Sequence, residues 1–177
     1  LKKAEVFHNN EWFGKEGIGK FLELAGSASM QQVLHRADFK KRLAKDEDVT
    51  LLEILYPLFQ GYDSVKVRAD VELGGTDQLF NLLMGRKLQR RYDQPEQDIL
   101  TIPILEGIDG VKKMSKTYDN YIALEDVPED IFGKVMSVSD DLMVRYFELL
   151  TDEELDVVKK LHPKEAKMKL GALIVAH

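Results

Sequence analysis

Cysteine is absent from this 177-residue chain, which excludes a disulfide framework and any thiolate metal site. That absence suits a cytosolic setting. No apolar run approaches the roughly 18 to 20 residues that a membrane helix needs. An apolar core is also missing behind Leu1-Lys2-Lys3-Ala4-Glu5, so no secretory signal is expected there, and a first residue of Leu rather than Met suggests a trimmed or incomplete chain. Basic charge is not in excess: the formal net charge is -6, which argues against a general nucleic-acid coat but leaves room for a local basic patch. His8, His35, His162 and His177 are scattered without metal-ligand spacing, so structural or surface roles are expected of them and no metal site is. What remains, 44% hydrophobic and 32% charged residues, is the composition of a soluble globular protein with one domain, or one plus an appendage.

Periodicity gives the organisation. Residues 1–16 read as irregular, with a turn signal at Trp12-Phe13-Gly14. Apolar residues recur at helical spacing from Ile18 to Leu24 and from Met30 to Leu43. Thr50 followed by Glu53 is a capping box that opens a helix over Leu51 to Tyr62, with Pro57 able to kink it or delay its start. Val65 to Leu73 alternates as a strand does and ends at Gly74-Gly75. Thr76 is the expected N-cap of a helix from Asp77 to Tyr92, on which the run Lys87 to Arg91 forms an exposed face. Ile99 to Leu105 reads as a buried parallel strand. The alternation of helix and strand predicts an α/β unit with a parallel sheet. After Leu124 the pattern turns wholly helical, over Pro128 to Met136, Asp140 to Leu150, Asp152 to Leu161 and Pro163 to Ala176. The expected boundary therefore divides residues 1–124 from an all-α module at 125–177.

Three segments carry chemistry. In Gly110-Val111-Lys112-Lys113-Met114-Ser115-Lys116-Thr117, two lysines three apart flank a small hydroxyl, after a strand and a glycine-containing loop. Such a cationic clamp suits a triphosphate whose charge grows as pyrophosphate departs, although a lone Lys-x-x-Lys is more often a solvated loop. In Leu73-Gly74-Gly75-Thr76-Asp77-Gln78, glycines at a strand end permit close approach of a ligand, the next helix offers free N–H groups, and Asp77 can accept from ribose hydroxyls. The bland alternative is a turn with a capped helix. In Tyr56-Pro57-Leu58-Phe59-Gln60-Gly61-Tyr62-Asp63, spacings of four and then three put Tyr56, Gln60 and Asp63 on one helical face, where they could hold a small amphoteric ligand; otherwise this is a helix end with a surface Asp.

Taken in order, the three segments resemble class I aminoacyl-tRNA synthetases. Lys113-Met114-Ser115-Lys116-Thr117 is similar to the family's KMSKS loop, with Thr for the final Ser. Gly74 to Gln78 and the Tyr56 to Asp63 helix resemble the tyrosyl branch. The similarity extends through Ile104-Leu105-Glu106-Gly107 and Asn120-Tyr121-Ile122 into the helical tail. Tyr118-Asp119-Asn120 departs locally, since the family more often has Gly before the Asn.

The resemblance implies the C-terminal half of a Rossmann-like catalytic domain, including part of the connecting insertion, followed by a helical module. It also implies a fragment, inactive alone, that lacks the HIGH-motif half and the anticodon-binding module. Tyr56 and Gln60 would bind the α-ammonium of tyrosine, Asp63 its phenolic hydroxyl, and Gln78 would lie against the reacting carboxylate. Gly75 and Asp77 would receive the adenosine ribose. Met114, Ser115, Lys116 and Thr117 would contact ATP, with Lys113 and Lys116 stabilising the leaving pyrophosphate. ATP would be a substrate carrying its own Mg2+, with no protein-bound metal. The implied partners are tRNA(Tyr), tyrosine and a second subunit, with no DNA and no membrane, in the cytoplasm. The helices from Met30 to Arg42 are candidates for dimer or acceptor-stem contact, unless Lys40, Lys41 and Arg42 are simply a solvated face. The tryptophanyl enzymes are the nearest rival, against which the acid at 63 suits a phenol. A non-catalytic, RNA-binding relative is the rival of another class.

Overall fold

A computed structural model of the chain describes residues 4–176, so His177 and the first three residues lie outside the described part. The described residues form two compact units that divide between Ile102 and Pro103. The division falls earlier than the break at 125 read from the sequence, because the non-helical segment after Ile102 packs on the helices that follow it. Leu105, Ile108, Met114 and Ile122 all lie against their core.

In the first unit, α1 (Asn10–Ala25), α2 (Met30–Leu34), α3 (Ala37–Leu43) and α4 (Leu51–Val67) precede β1 (Val71–Gly75), α5 (Leu79–Arg91) and β2 (Asp98–Ile102). The strands pair in parallel, Val71 opposite Asp98 through Gly75 opposite Ile102, with α5 as the crossover. This is the expected α/β unit. The Thr50–Glu53 capping box is formed in both directions, and α4 runs through Pro57 without ending. Helix α4 also continues past Tyr62 to Val67, where a strand was expected from Val65. The reason is burial at helical spacing: Leu58, Tyr62 and Val65 share one core with Leu24, Met84 and Leu88. Arg68 then ends the helix in the left-handed region at φ 56°. The close crossing of α4 and α5 requires small residues, since a Cβ on Gly61 would lie 3.0 Å from the Gly85 backbone nitrogen. Beside that crossing, Ser64 donates to Glu72 at 2.7 Å, and buried Gln97 donates from its backbone to Gln89 at 2.7 Å.

Other expectations change in the same unit. Residues 10–16 are helical rather than irregular, because Trp12 and Phe13 pack on the α4–α5 core and that burial outweighs Gly14. Gly17, at φ 63°, kinks α1. The 30–43 stretch is two helices, interrupted where Arg36 takes an extended ψ of 139°. Thr76 is not an N-cap; it lies inside a 3-10 turn, Thr76–Gln78, and α5 starts at Leu79 without a side-chain cap. Strand β2 stops at Ile102 rather than Leu105 because Pro103 has no N–H to donate. Arg42 pairs with Glu53 at 2.5 Å, and Arg86 and Arg90 both pair with Glu96, so these cations brace their own surface. Leu88 and Gln89 are buried, so the exposed face of the 87–91 run is limited to its arginines.

The second unit packs α6 (Pro128–Ser137), α7 (Asp140–Leu150), α8 (Leu155–Val158) and α9 (Pro163–Ala176) around Val135, Tyr146, Phe147, Ala166 and Leu170. Ser139 caps α7 by accepting from Leu142 N–H at 3.2 Å. His162 precedes α9, its Nδ1 accepting from Lys164 N–H at 3.3 Å, a structural role. Only Leu155–Val158 of the expected 152–161 helix forms. No helix among the described residues is long and apolar enough to cross a membrane.

Candidate functional site

Helix α4 carries the amino-acid side of the candidate site. Tyr56, Gln60 and Asp63 follow one another along one face. Asp63 is half-buried and accepts from the Trp12 indole Nε1–H at 2.9 Å. Burial pushes its carboxyl above the usual range, the nearby Glu72 charge adds to that, and donors on Trp12 and Asn9 oppose it. A carboxylate offers about four lone-pair positions, so the Trp12 bond leaves capacity for a ligand hydroxyl. Gln60 accepts through Oε1 from Asn81 Nδ2 at 2.9 Å, which fixes its amide and leaves a second lone pair. Tyr56 is exposed and, with Phe13 and Phe59, lines a hollow of about 460 Å³. Asp63 lines a separate one of about 290 Å³ with Phe7, His8, Asn9, Trp12 and Val67. Asn9 borders both hollows, and Gln60 borders neither.

Asp77 and Gln78 lie in the turn that follows β1, and both are exposed. Gly75 has an ordinary extended backbone, φ -71° and ψ 155°, so its conformation does not demand glycine. The steric demand falls on Gly74, where a Cβ would lie 3.0 Å from Leu82 Cδ1 and 3.5 Å from Gln78 Oε1.

The lysine loop belongs to the second unit. It is a hairpin: Gly107 N–H donates to Lys112 O at 2.8 Å, Met114 N–H to Leu105 O at 2.9 Å, and Gly110 takes the tight position at φ 66°. Tyr146 on α7 anchors its base by donating to Glu106 O at 2.7 Å. Burial, reinforced by Glu106 and Asp109, raises that phenol to about 12, so it remains a donor through neutral pH. Met114 points its apolar side chain at the unit's core. Lys113 and Lys116 are exposed, and among the described residues neither forms an ion pair. Ser115 caps a 3-10 turn, Lys116–Tyr118, by accepting from Tyr118 N–H. Two unpaired cations on a hairpin braced from beneath can meet a polyphosphate without first breaking a salt bridge.

Asp119 sits in the left-handed region at φ 50° and ψ 32°, the position where the resemblance leads one to expect glycine. Asp119→Gly in the full-length protein should raise stability by a few tenths to about 1 kcal/mol. A higher denaturant midpoint at unchanged slope would show it, and a lower midpoint would mean that the Asp119 side chain contributes more than its backbone strain costs.

Sequence reasoning missed Trp12, Asn9 and Asn81. Their roles depend on contacts across 51 residues for Trp12 and 21 for Asn81, and local periodicity is silent at such separations. The only tryptophan in the chain was itself a signal, since a buried indole needs an acceptor.

Comparison with known proteins identifies the family and the fold. The chain matches the family model of class I tRNA synthetases (W and Y) over residues 1–174. It is 50% identical to the tyrosine–tRNA ligases of Oleidesulfovibrio alaskensis and Geobacter metallireducens, in each case across 99% of this chain and 46% of that protein. It thus spans about half the length of these curated relatives. In fold it is similar to the tyrosyl-tRNA synthetase of Archaeoglobus fulgidus complexed with L-tyrosine, at TM-score 0.73 and 18% identity over 99% of this chain and 65% of that one. A tryptophanyl-tRNA synthetase from Campylobacter jejuni gives TM-score 0.52 and 18% identity over 92% and 59%. Because the family match runs across nearly the whole length and includes every segment described above, the chain belongs to the class I tRNA synthetases of the W and Y type.

Proposed function

We propose that the protein containing this chain is a tyrosine–tRNA ligase, which activates tyrosine with ATP and transfers it to tRNA(Tyr). The observation that carries the choice of tyrosine is Asp63, an acid held half-buried by Trp12 in a partly aromatic hollow, where it can accept from a phenol. The 50% identity to named tyrosine–tRNA ligases supports the same choice. A non-catalytic RNA-binding relative has no need of two unpaired lysines on a braced hairpin.

In this reading Tyr56 and Gln60 take the α-ammonium, Gln60 through the lone pair that Asn81 leaves open. Gln78 lies by the substrate carboxylate, and Gly75 and Asp77 receive the ribose. The tyrosine carboxylate attacks the α-phosphate of ATP, the bond to the β-phosphate breaks, and pyrophosphate leaves with its charge opposed by Lys113 and Lys116. Met114, Ser115 and Thr117 complete the nucleotide contacts of the loop. Mg2+ travels with ATP. No side chain acts as nucleophile or base; catalysis is positioning and charge stabilisation. A ribose hydroxyl of the tRNA then takes the tyrosyl group. We place the enzyme in the cytoplasm as a homodimer, with the α1–α3 segment as the candidate contact surface; Ile18, Leu22 and Met30 are exposed there.

The test is charging of tRNA(Tyr) with labelled tyrosine. The full-length protein should charge it. This 177-residue chain alone should not, because it spans only 46% of its relatives' length. Charging with another amino acid, or by the isolated chain, would overturn the corresponding part of the reading.

A further inference from the structure

We infer that Asn120 is a positioning residue for adenylate formation: its buried carboxamide fixes the hairpin that presents Lys113 and Lys116. The inference rests on the tyrosine–tRNA ligase reading and concerns the same lysine loop.

Asn120 is buried, only 3% exposed, in a segment whose neighbours are mostly open to solvent. Its Oδ1 accepts from Ser115 N–H at 2.9 Å. Its Nδ2 donates to Asp109 Oδ2 at 2.9 Å and to Lys113 O at 3.1 Å, with Lys112 O at 3.4 Å. Its backbone carbonyl accepts from Ile108 N–H at 2.9 Å. One side chain therefore grips both sides of Met114, at Lys113 O and Ser115 N–H. It also ties them to Asp109, whose other oxygen accepts from Val111 and Lys112 N–H at 2.9 and 3.0 Å. These bonds lower the Asp109 carboxyl below its usual range, keeping it an acceptor at neutral pH.

The surroundings are shaped for this group. A Cβ on Gly107 would fall 2.2 Å from Asn120 Cγ, so glycine at 107 is what admits the carboxamide. Only a carboxamide both accepts from Ser115 and donates to a carboxylate and a carbonyl from one planar group. Aspartate at 120 would keep the acceptor but set a second carboxylate against Asp109 and the Lys112 and Lys113 carbonyls. Asn120 reaches the loop's lysines through backbone carbonyls, at Lys113 O and Lys112 O, and does not hydrogen-bond their charged ends, so its loss should change where the charges lie rather than how many there are.

The experiment uses the full-length enzyme. Tyrosyl-adenylate formation is measured in single turnover, and tyrosine affinity separately without ATP, for wild type, N120A, N120D, G107A, K116A and N120A/K116A. The expected result is that N120A, N120D and G107A each slow adenylate formation by about 10²-fold, the order of loss that a misplacement of about 1 Å causes. Tyrosine affinity should stay within about twofold, and N120A should slow the K116A enzyme by a clearly smaller factor than it slows wild type, because part of its effect acts through that lysine. Three results would overturn the inference: N120A or N120D at the wild-type rate, losses from N120A and K116A that multiply in full, or a fall in tyrosine affinity that matches the fall in rate. If N120A does not fold, the near-isosteric N120D decides by the same criteria. A wild-type enzyme that forms no tyrosyl-adenylate would overturn the functional reading together with this one, whereas an active wild type with an unimpaired N120D refutes the role of Asn120 alone.

Discussion

Replacing Lys116 by alanine in the full-length enzyme should slow tyrosyl-adenylate formation by roughly 10² to 10³-fold, the usual loss on removing one stabiliser of developing charge. Tyrosine affinity should be unchanged. Lys116 opens an exposed 3-10 turn whose start is capped by Ser115, and it has no ion-pair partner among the described residues, so nothing in the fold depends on its side chain. Its charge matters when pyrophosphate departs, which places the loss on the chemical step rather than on ground-state binding. Single-turnover rates beside equilibrium tyrosine binding separate the two. A matched loss of tyrosine affinity with an unchanged activation rate would remove Lys116 from the chemistry.

Asp63→Ala should lower kcat/KM for tyrosine and erode the preference for tyrosine over phenylalanine. Phenylalanine leaves the half-buried carboxylate without its hydroxyl partner, and sites of this kind reject such analogues by roughly 10⁴ to 10⁵. That magnitude is the one known for tyrosyl-tRNA synthetases against phenylalanine, not one obtained from this structure. Were Asp63 merely a surface residue at a helix end, the substitution would shift stability by about 0.5 kcal/mol or less and leave selectivity alone. The pH dependence has a definite sign. The folded state raises this carboxyl above its ordinary value, through burial first and the Glu72 charge second. The folded protein therefore binds this proton more tightly than the unfolded chain, so the group favours folding below the raised pKa and loses that contribution as pH rises through it. Tyrosine reading behaves oppositely if it uses the ionised carboxylate: kcat/KM for tyrosine should fall as pH drops through that raised pKa, and the fall should be absent in Asp63→Ala.

Much of this was legible in the sequence wherever the deciding interaction was local. The Thr50–Glu53 capping box, the break at Gly74-Gly75 and the apolar run after Asp98 depend on neighbours within a few residues, and each marks a real element edge or strand; the burial expected of that run does not hold, since Leu100 and Ile102 are exposed. The strand expected from Val65 failed because alternation over a few residues cannot be told from helical burial until the partner is known, and here the partner is α5. Helix α1 failed for the same reason, since Trp12 and Phe13 are held by α4 and α5 rather than by their own neighbours. The candidate residues were named by type and spacing. What orients them, Trp12 for Asp63 and Asn81 for Gln60, comes from distant chain and has no local signature. The Lys113–Thr117 string was legible as a cationic loop, whereas the buried carboxamide at 120 was visible only as a neighbour in the motif.

ATP–pyrophosphate exchange by the full-length protein, driven by tyrosine or by tryptophan, tests the central claim most directly. Tyrosine should drive exchange and tryptophan should not, because the chain is 50% identical to named tyrosine–tRNA ligases and Asp63 is held where it can accept from a phenol. Exchange driven by tryptophan and not by tyrosine, or by neither, would contradict the account.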